Sequence, residues 1–65
     1  MSGREPRPGE VYFEFMPIGR QVRVTAIDAA TGVEVVVIGP VSASQSDLES
    51  LAMRKLARRL AEGAH

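Results

Sequence analysis

The stretch Val22–Gly39 constrains the fold more than any other. It holds two β-prone runs separated by a short loop. Val22-Arg23-Val24-Thr25-Ala26 alternates apolar and polar residues, the period of a half-buried strand. Val33–Ile38 is dense in β-branched residues, which suit a pleated surface. In the intervening turn, Asp28-Ala29-Ala30-Thr31-Gly32, glycine supplies a positive φ and the Asp28 carboxylate bonds forward to the turn backbone. With Asp28 and Val33 flanking the loop, Ala26 faces Val35, Val24 faces Val37 and Val22 faces Gly39. One face then carries Val22, Val24, Ala26, Val33, Val35 and Val37. The other carries Arg23, Thr25, Ile27, Glu34, Val36 and Ile38. A slip of one residue mixes the two sets, so the pattern itself selects the register.

A further strand precedes this hairpin over Glu10–Pro17. Val11, Phe13 and Phe15 alternate with Tyr12, Glu14 and Met16. Pro17 suits a strand end or a sheet edge, and Pro17-Ile18-Gly19-Arg20 reads as a turn. Met16 opposite Gln21 sets Phe15 against Val22, Phe13 against Val24 and Val11 against Ala26. It also sets Glu14 against Arg23, a cross-strand pair worth about 0.2–1 kcal/mol. The inward face becomes a three-by-three apolar grid. Residues 1–9, with two prolines, two glycines and three charges, offer nothing to bury and read as a mobile tail. The folded domain is expected over residues 10–64.

After Gly39-Pro40, which should stop the third strand, Ser44 and Ser46 compete as helix caps. Each is followed three residues later by an acid, Asp47 or Glu49. The helix is expected to run to about Glu62, with Gly63 as the C′ residue just beyond its end. Leu48, Ala52, Met53, Leu56 and Leu60 fall in one apolar stripe, with Leu51 and Ala57 at its margins. An apolar sheet face needs a cover, and this stripe is what the chain offers. The expected fold is therefore α+β: a three-stranded antiparallel β-meander with one C-terminal helix packed on one face, β-β-β-α. In such a core, Phe13→Ala should cost roughly 3–5 kcal/mol.

Chemistry is sparse. The 65 residues contain no cysteine, which removes disulfides and thiolate metal sites. The one histidine is His65, the last residue, so no packed general base accompanies the serines at 42, 44, 46 and 50. Glu10 and Glu14 share a strand face about 13 Å apart by strand rise, too far for a retaining carboxylate pair. Asp28 and Glu34 lack the companions a metal needs. The glycines are scattered and form no phosphate-binding loop. We expect no catalytic, metal-binding or cofactor-binding residue, and no enzyme activity. Eight basic and eight acidic residues cancel, unlike a chain held to nucleic acid mainly by charge. No run reaches the roughly 20 apolar residues of a membrane span. With no apolar signal core in residues 1–9, the expected location is cytoplasmic.

Several strings have a familiar look together: Glu10-Val-Tyr-Phe-Glu-Phe, Pro17-Ile-Gly, Val22-Arg-Val-Thr-Ala-Ile-Asp, Ala30-Thr-Gly-Val-Glu-Val, Ile38-Gly-Pro and Met53-Arg-Lys-Leu. Over about residues 10–60 the chain resembles a family of small, uncharacterised alphaproteobacterial proteins. The resemblance implies a bacterial, cytoplasmic, single-domain protein. It carries no activity and no functional residues.

Two features remain as candidates for function. The first is the outward sheet face, with Tyr12, Met16, Ile27, Val36 and Ile38 among Glu14, Gln21, Arg23, Thr25 and Glu34. No second helix exists to cover it, and Val36 and Ile38 lie on a strand that is also a sheet edge. This points to a protein-interaction module with an unknown partner or with itself as a homodimer. A semi-apolar face tolerated on a monomer is the plain alternative. The second feature is the basic helix strip Arg54, Lys55, Arg58 and Arg59, which suits weak nucleic-acid binding through phosphate oxygens. Its plain alternative is a solvated face that complements the helix dipole.

Overall fold

In a computed structural model, residues 10–63 are described. The expected tail, residues 1–9, and His65 lie outside them. The chain forms β1 (Val11–Ile18), β2 (Gln21–Asp28), β3 (Glu34–Pro40) and α1 (Gln45–Glu62). The three strands make one antiparallel sheet in the order β1-β2-β3, and α1 packs on one face. This is the expected β-β-β-α arrangement.

The second hairpin has the predicted register: Val22 faces Gly39, Val24 faces Val37 and Ala26 faces Val35. Its loop closes through the backbone bond from Asp28 N–H to Val33 O, 2.9 Å. Gly32 takes φ +76°. Asp28 is 93% shielded, and its Oδ2 accepts from Thr31 N at 3.0 Å and Thr31 Oγ1 at 2.7 Å. Thr31 Oγ1 in turn accepts from Val33 N at 3.2 Å. The buried carboxylate is thus the hub of the loop.

The first hairpin departs from expectation by two residues. Ile18 faces Gln21, so the loop is only Gly19-Arg20, and Phe15 faces Val24, Phe13 faces Ala26 and Val11 faces Asp28. Gly19 has φ +62°, and a glycine at the first position of a two-residue loop follows the natural twist of paired strands. The strand therefore runs through Pro17. It can, because β1 is an edge and Pro17, opposite Val22, sits at a position that does not bond to β2. A shift of two leaves every side chain on its expected face. It does separate Glu14 from Arg23, which face Thr25 and Met16 instead.

The expected grid is covered unevenly. Val22, Val24, Ala26 and Val35 are buried against Leu48, Ala52 and Leu56, whereas Val11, Phe13, Phe15 and Val37 are only partly buried. A helix about 10 Å across spans two strands some 4.8 Å apart, not three. Here α1 packs mainly on β2 and β3. Leu51 and Met53 are exposed, and Leu60 is half-buried.

At the helix start, Ser44 rather than Ser46 is the cap: its hydroxyl accepts from Asp47 N at 3.0 Å. Gly39 does not stop β3 but belongs to it, and it faces the Leu48 side chain closely enough that a β-carbon there would collide with it. At the other end, Gly63 keeps φ −87° and bonds back to Arg59 O, closing the helix without a left-handed residue.

Candidate interaction surface

Strand alternation turns the even-numbered residues of β1 and β3 and the odd-numbered residues of β2 away from α1. The registers order them in rows: Tyr12, Ile27 and Glu34; Glu14, Thr25 and Val36; Met16, Arg23 and Ile38; Ile18, Gln21 and Pro40. The five apolar residues anticipated on this face all lie there. Met16 and Ile38 are 55% and 60% exposed; Tyr12 and Val36 are just over one-third exposed, and Ile27 is half-buried. One residue escaped the sequence analysis. Ile18, 56% exposed, extends the apolar surface by a row. The signal for it was Gly19 itself, since a two-residue Gly-Xaa loop returns the preceding residue to the strand.

Arg23 sits between Met16 and Ile38 in one row, Glu14 lies in the next row and Glu34 in the row beyond. The face is therefore apolar with single charges of both signs spread through it. Glu14, Met16, Arg23 and Thr25 line a shallow depression there.

The β3 edge is partly occupied. The Asp28–Val33 bond sets the alternation of the ladder, so Val35, Val37 and Gly39 bond to β2, and Glu34, Val36 and Ile38 direct their backbone groups off the edge. Lys55 reaches over and donates from Nζ to Val36 O at 2.7 Å.

That contact ties one member of the basic strip to the sheet. Lys55 is held against β3, and Arg58 and Arg59 line a groove with Val35 and Glu62. Arg54 lines the opposite groove as well, beside Val11, Phe13, Glu49 and Met53. All four basic side chains are exposed, and Arg54, Lys55 and Arg58 also share a depression with Val37 and Leu51.

Among the described residues, no three histidine, cysteine, aspartate or glutamate side chains gather as a metal site, and no buried side-chain polar atom lacks a partner. No described helix is long and apolar enough to cross a membrane. A family model described as "Domain of unknown function (DUF6898)" matches residues 8–63. The chain belongs to the DUF6898 family. The match spans all three strands and the helix, so this meander with its helix represents the DUF6898 domain. Neither a search of curated proteins nor one of solved structures returns a match for this DUF6898 chain.

Proposed function

We propose that this DUF6898 protein is a non-catalytic protein-interaction module whose contact surface is the outer sheet face. A second copy of the chain is its simplest occupant, with the β3 edge alongside. One observation carries the reading: Tyr12, Met16, Ile18, Ile27, Val36 and Ile38 share the face opposite α1. A cluster of exposed apolar side chains on one face, rimmed by polar groups, is the kind of surface that marks interfaces. Charges of both signs, Glu14, Arg23 and Glu34, suit a surface that meets its own copy. A bacterial, specifically alphaproteobacterial, and cytoplasmic setting belongs to the same reading and draws support from the resemblance of the strand and turn strings.

Sedimentation at low and high protein concentration tests it. The mass should rise with concentration, and Met16→Lys or Ile38→Lys should diminish the rise without lowering the melting temperature by more than a few degrees. A monomer under all conditions counts against the reading. The runner-up, a nucleic-acid accessory role, has Arg54, Arg58 and Arg59 behind it, because Lys55 is engaged with Val36. It predicts a mass increase only with DNA or RNA, reversed by salt and lost in the Arg54→Ala, Arg58→Ala double variant.

A further inference from the structure

Among the described residues, nothing pairs with the opposite edge of the sheet. The Glu10 carbonyl accepts from Ala29 N–H at 2.9 Å, and Ile18 and Gln21 close the two-residue loop. These fix the even-numbered residues of β1 in the ladder with β2, so Val11, Phe13 and Phe15 direct their N–H and C=O groups off the edge. Among the described residues nothing bonds them. No lysine lies over them as Lys55 lies over β3. On the helix side, the same three residues carry the half-covered part of the apolar face, and Val11 and Phe13 share a groove with Met53. An unpaired edge and an unfilled apolar groove thus coincide on one strand.

We infer that β1 is the seam between two copies of this chain, paired antiparallel about a two-fold axis at Phe13. The sequence of β1 selects both the occupant and the register. Centred on Phe13, Val11 of each copy faces Phe15 of the other and Phe13 faces Phe13, so every outward N–H of each β1 edge is bonded. Their side chains meet in one apolar stripe between the two helices. On the outer face, Glu14 of each copy faces Tyr12 of the other. Moved two residues toward the hairpin, the pairing opposes the two Glu14 carboxylates and sets Val11 against Pro17, which has no N–H to give. Moved two the other way, only Val11 and Phe13 pair within β1. Of these two-fold registers, the one centred on Phe13 alone bonds every outward N–H of β1 without opposing like charges. A two-fold axis through the sheet is the commonest way for a chain to meet itself. It leaves the outer face open and doubles its width, so the seam is independent of whatever occupies that face.

The test uses the absence of native cysteine. Tyr12→Cys and Glu14→Cys lie on the exposed face, and opposed residues at non-bonded positions are about 4.5 Å apart between α-carbons, within disulfide reach. Oxidising a mixture of the two variants should yield a covalent dimer containing one chain of each, with little homodimer from either alone. In the unmodified protein, hydrogen exchange at the amides of Val11, Phe13 and Phe15 should slow at least tenfold between dilute and concentrated solution. Homodimers of either single variant in equal yield would overturn the register. A dimer that forms with these amides still exchanging freely, and that Met16→Lys or Ile38→Lys abolishes, would overturn the seam while leaving the outer-face reading intact. A monomer at every concentration would overturn both.

Discussion

Gly39 lies directly against Leu48 of α1, and it shows how one small residue sets the packing. Its missing side chain makes room for Leu48, which is 97% buried. Gly39→Ala should destabilise the domain by about 1–3 kcal/mol through overpacking. Urea melts of a double-mutant cycle check the cause: the cost should shrink when Leu48 is also alanine. Asp28 works differently, through polarity. Asp28→Ala removes the acceptor for two bonds from Thr31 and should cost about 1.5–3 kcal/mol, read as a lower denaturation midpoint. Its hub role was legible in the sequence because Asp, Thr and Gly at those spacings make a turn. The clearance at Gly39 was not, since only the crossing of α1 over β3 creates it. Choosing between the two serine caps was also beyond sequence spacing alone. Ser44→Ala should cost about 0.5–2 kcal/mol, and Ser46→Ala should stay within about 0.5 kcal/mol, as surface changes usually do.

At the scale of elements, one helix cannot cover three strands. This changes the expected cost of Phe13→Ala. A half-buried side chain loses about half the transfer free energy of a buried one, so about 1–2 kcal/mol is the better figure, against about 2–5 kcal/mol for Leu56→Ala. Thermal melts of the two variants should rank in that order. Alternation alone revealed the strand faces, and all five anticipated apolar residues of the outer face stand on it. The pairing of β1 was harder to read, because shifts of two residues preserve faces and Pro17 obscured the strand's end. Edge protection was invisible in the sequence: Lys55 and Val36 are nineteen positions apart. Lys55→Ala should change stability by less than about 0.5 kcal/mol, since the exposed carbonyl turns to water. It should nevertheless raise concentration-dependent light scattering, because the Val36 edge is then unguarded.

For the whole molecule, size is the governing fact. A chain of this length buries only about 60% of the surface its unfolded form exposes, and its buried core is confined to β2, β3 and α1. Losses that a larger domain absorbs should therefore unfold this one, and any contact that covers β1 or the outer face should raise its melting temperature with the logarithm of concentration. The order of the strands in the sheet is also their order in the chain, and this has a kinetic side. Each strand meets its neighbour across a loop of a few residues, so little loop entropy is lost before contacts form. The hairpin of β2 and β3 and the helix can assemble as a unit, with β1 joining last and leaving first. Departure of β1 uncovers the β2 edge while the helix stays seated. The domain should thus breathe from its first strand, at a lower free energy than full unfolding.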